Sequence, residues 1–324
     1  MGIVSGSNGP AIAQAAQRLA QGGLVAVPTE TVYGLAARAD DDHAVMQIFA
    51  TKGRPSDHPL IVHVLDRERA LAFAAEITPA AERLIAAFWP GPVTVIVRRA
   101  AERANAAAAH LTTLALRAPA HPVARALLEQ CASLGVDGLA APSANRFGHV
   151  SPTTAAHVAE EFGPELMVLD GGACGLGIES AIVDCSATAP VLLRPGVVTR
   201  EQLEHTLGVS LHEADENSPA APGTLESHYA PNATLRLMST DEMKTALRVL
   251  PATIQGLAVY SRSAPRRHPL VQVMPDDPRA AARELFAVLR AFDARGVKLI
   301  WVEQPPDTPD WEGINDRLQR AAAP

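Results

Sequence analysis

Between Pro28 and His63 the sequence gathers, among others, the hydroxyls of Thr29, Thr31 and Tyr33, the cations Lys52 and Arg54, and the histidines His58 and His63. Hydroxyls, cations and backbone amides are the groups that stabilise phosphoryl charge without a covalent intermediate. Lys52 is the sharpest of these signals. The chain has 28 Lys and Arg residues, yet Lys52 is the sole lysine in the first 243 positions, the others being Lys244 and Lys298. Where arginine is the default cation, a lysine marks a demand for a compact, mobile ammonium. A solvated surface turn is the competing explanation.

Further turn-rich segments, WPGP, APSANRFGHVSPT and LRPG, lie at the ends of apolar runs, where ligands of α/β proteins usually sit. Arg117 and Arg194 each close such a run beside a proline and could offer a guanidinium fork to a carboxylate or phosphate, or serve as structural ion-pair arginines. His63, inside LIVHV, is in general more often a hydrogen-bonded core histidine than a catalyst. Gly171, Gly172, Gly175 and Gly177 crowd into DGGACGLGIES, where backbone N–H groups can approach an anion beside the Ser180 hydroxyl. Their spacing is not that of a dinucleotide loop, and a tight surface turn fits equally. The sequence contains no Walker P-loop, no H-E-x-x-H and no Ser-His-Asp order among these segments.

The elements that must position these residues alternate in type. Helical spacing covers 9–21, 43–50, 66–74, 79–88, 121–131, 153–161 and 199–207. Strand-like runs cover LVAVP, LIVHV, VTVIVRR, TTLALR, GLAAPS, LMVLD, SAIVD and VLLRP. This predicts a mixed α/β catalytic domain over 1–210, with connections too varied for a regular barrel. Residues 211–230 are polar and rich in Pro and Ser, and read as a linker. Over 231–324 strand and helix alternate again, predicting a small, doubly wound, largely parallel α/β domain.

Bulk properties bound the function. The 324 residues are 48% hydrophobic and 19% charged, with net charge -7, the composition of an ordinary globular protein. Up to residue 210 there are 15 basic and 20 acidic residues, and beyond it 13 and 15. Neither part is a generic polyanion binder, so anion chemistry must come from a local cluster of cations. Cys131, Cys174 and Cys185 lack C-x-x-C spacing, which fits a reduced, cytoplasmic setting. The start MGIVSGSNGP reads as neither a signal peptide nor a myristoylation site, and no apolar run approaches the roughly 20 residues of a membrane helix.

Taken together, PTETVYGL, KGRP with PLIVHV, WPGP, LRAPAHP, APSAN, SPT, DGG, GIES and LRPG resemble, in order across residues 8–208, the threonylcarbamoyl-AMP synthase family with its YrdC-like fold. HYAP at 228–231, followed by a small α/β domain, resembles the longer two-domain form with a Rossmann-like C-terminal domain. The resemblance implies that ATP, L-threonine and bicarbonate become threonylcarbamoyl-adenylate and pyrophosphate. The product would feed a tRNA-modifying transferase complex that acts on the adenosine beside the anticodon. Mg2+ would accompany ATP, and no resident metal site is expected.

Carried over by motif position, Thr31, His63, Arg117, Ala141 and Ser180 would form the threonine pocket, with Arg117 facing the carboxylate. Lys52, Arg54, His58, Thr113, Ser143, Ser151, Arg194 and Tyr229 would line the ATP region, with Lys52 and Arg54 closest to the chemistry. Tyr33 and Asn145 would support them. Tyr229 in the linker implies a segment that folds back over the cleft and excludes water. Two positions depart from the family pattern: His58 replaces an Asn, and Ala181 replaces a Thr whose hydroxyl could supply a hydrogen bond of about 0.5–1.5 kcal/mol. The alternatives are another carbamoyl-transfer enzyme of the hydrogenase-maturation type, which carries cysteine zinc motifs, and a non-catalytic RNA-binding module in tRNA or ribosome maturation.

Overall fold

The computed structural model describes residues 2–251, 254–264 and 270–323. None of the site residues named above falls outside them. The chain divides into two compact units, one of residues 1–147 and 151–224, the other of residues 148–150 and 225–324. The boundary at Thr224 falls inside the polar stretch read as a linker.

The first unit runs β1 (Ile3–Ser5), α1 (Gly9–Ala20), β2 (Val25–Val27), β3 (Gly34–Arg38), α2 (Asp42–Lys52), β4 (Ile61–Val64), α3 (Arg67–Ala70), α4 (Pro79–Phe88) and β5 (Val93–Arg98). It continues through β6 (Thr113–Arg117), α5 (Pro122–Ser133), β7 (Gly138–Ala140), α6 (Ala155–Phe162), β8 (Met167–Asp170), β9 (Ala181–Asp184), β10 (Val191–Arg194), α7 (Arg200–Leu207) and β11 (His212–Glu213). All eleven strands join one mixed sheet in the order β1-β8-β2-β3-β7-β4-β6-β5-β9-β10-β11.

Side chains alternate along a strand, so each strand serves two faces. Val62 and Val64 of β4, Val93, Val95 and Val97 of β5, Leu114 and Leu116 of β6, and Ala181 and Val183 of β9 enter the main core, together with Ile48, Phe49 and Leu84 of the helices. The intervening residues Ile61, Ile96, Ala115 and Ile182 form a smaller buried cluster with Leu193 and Ala221. Thr94, His63 and Arg117 share that second face by the same alternation. Farther along the sheet, α1 and α5 cover the second face through Ile12, Ala15, Ala16, Leu19, Leu127 and Leu128 over Val25, Val27, Ala36 and Leu139. Residues 212–217 of the polar stretch are exposed, but 221–223 are buried, and Ala221 packs into this cluster although the stretch lacks apolar periodicity.

Helix ends aim the chain at the site. Asp41 caps α2, accepting from the Ala44 amide at 3.1 Å, and Gly53 ends it at φ 64. That left-handed turn suits glycine and sends Arg54 away from the helix axis. Thr199 and Gln202 form a reciprocal capping box on α7, directly after LRPG. The WPGP turn holds a cis Trp89–Pro90 bond.

Three strands escaped the sequence reading: β1, β3 and β11. β3 reads GLAAR, small residues without the β-branched signal of a strand. The helix expected over 66–74 is the single turn α3, after which Ala74 bridges to Arg99.

The second unit runs β12 (Thr234–Met238), α8 (Thr240–Val249), β13 (Leu257–Ser261), β14 (Val271–Val273), α9 (Pro278–Ala294), β15 (Leu299–Glu303), a 3-10 turn at Pro309–Trp311 and α10 (Glu312–Ala322). Among the described residues its four strands are all parallel, in the order β12-β15-β13-β14, giving the expected small doubly wound domain. At the carboxyl end of β15, Glu303 is buried, which alone would raise its pKa. Donation from Ser261, Thr240 and Ser263 instead brings it down to about 2.

Gly196 of LRPG passes close to the start of β9. A Cβ there would meet the Ala181 amide nitrogen at 2.5 Å and the Ser180 carbonyl carbon at 3.0 Å. Both are backbone atoms and cannot swing away. Gly196→Ala is expected to cost about 1–3 kcal/mol, read as a lower urea midpoint of unfolding. An unchanged midpoint would contradict this packing.

Candidate active site

Arg117 ends β6 with its guanidinium almost fully buried. It donates from Nε to Gly91 O at 3.1 Å, from Nη1 to Thr31 Oγ1 at 3.0 Å and from Nη2 to Glu30 Oε1 at 2.5 Å. The other Glu30 oxygen accepts from the Ala120 amide at 3.0 Å. Thr31 Oγ1 also meets Thr29 Oγ1 at 2.8 Å, and Thr29 donates to Val32 O at 2.6 Å. The Leu176 and Gly177 amides donate to the carbonyls of Glu30 and Thr31. The PTET, WPGP, LRAPAHP and GIES segments therefore meet at one guanidinium.

Ser180 lies on the same face. Its hydroxyl sits 2.8 Å from Thr94 Oγ1, and Arg194 reaches the Ser180 carbonyl from Nε at 3.1 Å and from Nη2 at 3.0 Å. Arg194 Nη1 donates to Pro222 O at 2.8 Å, holding the strap that carries Ala221 against the sheet. Ser151 donates to Glu179 Oε1 at 2.5 Å, one residue before Ser180.

His63 pairs with Arg117 across β4 and β6. Its ring is buried, and its Nε2 has no hydrogen-bond partner among the described residues. Burial first, and the Arg117 charge second, push its pKa down to about 3. It lines a cavity of about 20 Å³ with Thr29, Gly34, Pro119, Leu127 and Ala141. A neutral imidazole thus looks into a mostly apolar space, and the hydrogen-bonded core histidine of the competing explanation is not what forms.

Lys52 is 3% exposed, which removes the solvated-turn explanation. Its ammonium donates to Ser143 O at 2.6 Å and to Asn145 O. Burial, then the charge of Arg54, lower its pKa well below the usual lysine value. The Phe147 amide donates to Lys52 O at 2.9 Å, and the Phe147 ring lies 5.5 Å from the Arg54 guanidinium and 5.5 Å, edge-on, from the His58 ring. The KGRP and APSAN segments are thereby joined into a second polar corner. Burial, then Arg54, also depress the His58 pKa.

Tyr33 braces both corners through its backbone, donating to Pro152 O and accepting from the Ala144 amide. Its hydroxyl donates to Gly172 O at 2.8 Å and accepts from the Gly171 amide at 3.2 Å, pinning the DGG turn. Asn145 is buried and reaches Arg146 O at 2.7 Å. Two further sequence candidates are Thr113 and Tyr229. Thr113 opens β6 opposite Arg98, four residues from Arg117 and so about 13 Å along the strand. Tyr229 belongs to the second unit, at φ 62 and buried, with its ring 5.5 Å from Phe286 and the Arg317 guanidinium 5.4 Å from it.

Glu30, Thr94 and Glu179 were missed by sequence reasoning. The only signal for Glu30 was its place between the threonines of PTET. Ala181, the departure directly after GIES, faces the main core rather than the site, so the missing hydroxyl does not fall on the site face. All three cysteines are buried, and burial raises each thiol to about 12. Among the described residues no three His, Cys, Asp or Glu side chains cluster as a metal site.

The mixed sheet with cationic corners at its strand ends, followed by a parallel α/β unit, defines a YrdC-like enzyme fold with a Rossmann-like appendage. A family model described as "Telomere recombination" matches residues 17–196, and one described as "Threonylcarbamoyl-AMP synthase, C-terminal domain" matches residues 198–323. Threonylcarbamoyl-AMP synthase of Bacillus subtilis is 39% identical over 98% of this chain and 94% of its own length. That of Pyrococcus abyssi is 38% identical over 95% and 93%. The crystal structure of P. abyssi Sua5 complexed with L-threonine superposes with a TM-score of 0.88 at 36% identity, covering 97% of this chain and 95% of that one. The chain belongs to the threonylcarbamoyl-AMP synthase family.

A buried histidine held neutral gives a pH signature. The unfolded ring titrates near 6.5 and the folded ring near 3, so between these values the unfolded state binds the extra proton. Its contribution to stability is present above about pH 6.5 and is lost as pH falls towards 3. His63→Leu is expected to unfold with a shallower loss of stability over that window than the wild-type chain, as read by urea titrations. Identical slopes would contradict a buried neutral His63.

Proposed function

We propose that the protein is a threonylcarbamoyl-AMP synthase that converts ATP, L-threonine and bicarbonate into threonylcarbamoyl-adenylate and pyrophosphate. The observation that carries this reading is 38–39% identity to synthases over 95–98% of the chain, combined with a fold that gathers the family's motif residues into two polar corners. The threonine nitrogen, once deprotonated, bonds to the bicarbonate carbon with loss of water. An oxygen of the resulting carbamate attacks the α-phosphorus of ATP, and the bond to the departing pyrophosphate breaks. Both steps gain from orientation and charge stabilisation rather than from a covalent enzyme intermediate.

In this reading Arg117 receives the amino-acid carboxylate beside Thr31 and Ser180, and the apolar cavity by His63 and Ala141 accepts the side chain. Arg194, Arg54, His58, Ser143 and Ser151 bind the nucleotide. Lys52 holds the Ser143 and Asn145 carbonyls, shaping the loop against which the phosphates rest. The set is mainly cationic and hydroxylic, its carboxylates Glu30 and Glu179 each accept from protein donors, and among the described residues no three potential metal-ligating side chains cluster, so it does not fit a resident metal; Mg2+ would arrive with ATP. No helix of the described residues is long and apolar enough to cross a membrane. A cytoplasmic enzyme that hands its product to a tRNA-modifying transferase complex fits this chemistry.

Pyrophosphate release from ATP is expected to require L-threonine and bicarbonate together and to fall sharply with serine. Release without either addition, or none with both, would contradict the synthase. Arg194→Ala and Lys52→Ala are each expected to lower turnover by about 10²-fold or more, with the circular dichroism of the native fold retained. Full turnover in both would refute this placement of the nucleotide.

A further inference from the structure

Glu30 is a carboxylate set beside the guanidinium that the functional reading assigns to another carboxylate. Its Oε1 lies 2.5 Å from Arg117 Nη2, and its Oε2 takes the Ala120 amide at 3.0 Å. The guanidinium has five N–H donors, and those directed to Gly91, Thr31 and Glu30 engage one on each nitrogen. Two N–H groups therefore stay available to a ligand. The carboxylate likewise has about four lone-pair positions, of which two are engaged.

Charge decides what such a site accepts. The Arg117 side chain is 3% exposed and that of Glu30 is 14% exposed, so water screens the pair little. His63, facing Arg117 from β4, is neutral and adds no charge. The Arg117–Glu30 pair thus carries no net charge before a ligand arrives. A lone monoanion placed on Arg117 would lie against the Glu30 carboxylate, a like charge in a poorly solvated place. A zwitterion meets no such conflict, because its ammonium can lie on the carboxylate while its own carboxylate takes the free guanidinium donors.

We propose that Glu30 is a specificity-determining residue of the amino-acid site, binding the α-ammonium so that the Glu30–Arg117 pair selects zwitterionic amino acids over simple hydroxy acids. This rests on the threonine reading of the site. The selection acts on the incoming amino acid, before its nitrogen gives up a proton to become a nucleophile.

The test is calorimetric binding of L-threonine and of 3-hydroxybutyrate, which keeps the carboxylate, hydroxyl and methyl but lacks the amine. The wild-type protein should bind threonine and discriminate against 3-hydroxybutyrate by at least about tenfold, one charged hydrogen bond. In Glu30→Gln threonine should weaken by about tenfold or more, while 3-hydroxybutyrate binds as well as before or better. Glu30→Asp, which keeps the charge, should retain the preference for threonine and serves if the glutamine variant does not fold. Equal weakening of both ligands in Glu30→Gln, or undiminished discrimination in it, would overturn the proposal while leaving the synthase reading standing. A folded wild-type protein that binds no threonine would overturn both.

Discussion

The first unit is organised around a guanidinium taken out of water. An arginine as buried as Arg117 is tolerated only if its charge and donors are matched, and the partners come from distant parts of the chain: Glu30, Thr31 and Gly91. Meeting that requirement draws the PTET turn, the WPGP turn and the end of β6 to one point. The backbone bonds from Leu176 and Gly177 then bring the glycine-rich segment to the same place. The guanidinium is thereby held by bonds within the fold itself, as preorganised electrostatic recognition requires.

The sheet makes this affordable by using each strand twice. On β4, β5, β6 and β9 one set of alternate residues enters the main core, and the other set builds the second face, which carries a smaller apolar cluster and the candidate site residues His63, Thr94 and Arg117. A core valine and a candidate site residue are neighbours in sequence but lie on opposite sides of the sheet. Helices α1 and α5 close the second face over β2, β3 and β7, and the strap at Ala221 closes it over β4, β6 and β9. The cavity beside His63 and Ala141 includes residues of α5 and of the PTET turn, where the helical cover gives way to polar turns. Lys52 repeats the Arg117 logic on a smaller scale, its ammonium satisfied by two carbonyls about ninety residues away in sequence.

Strands rich in valine, isoleucine and leucine, such as VTVIVRR and LIVHV, were legible because β-branched runs bounded by turns have few other uses. GLAAR was not, because small residues carry no strand signal and β3 exists by virtue of its antiparallel neighbours β2 and β7. The site was legible as an ordered set of turn motifs, and the resemblance carried by those motifs supplied the residue roles. What no reading of types and spacing could reach was the pairing across the fold. Nothing near Lys52 announces the carbonyls of Ser143 and Asn145, and nothing near Glu30 announces a guanidinium 87 residues away. Thr113 and Arg117 look adjacent in TTLALR, yet an extended strand carries them to opposite ends of β6.

The claim that stands beneath the rest is that the Arg117 fork forms the amino-acid site. Arg117→Lys keeps the positive charge but exchanges a planar fork for a single point of donation, so it separates geometry from charge. Calorimetry with L-threonine on this variant, with ATP binding as the control, tests it directly. The structure leads to a loss of threonine affinity of about tenfold or more with ATP binding retained. Threonine binding at wild-type strength would contradict it, and would move the amino acid to another part of the sheet.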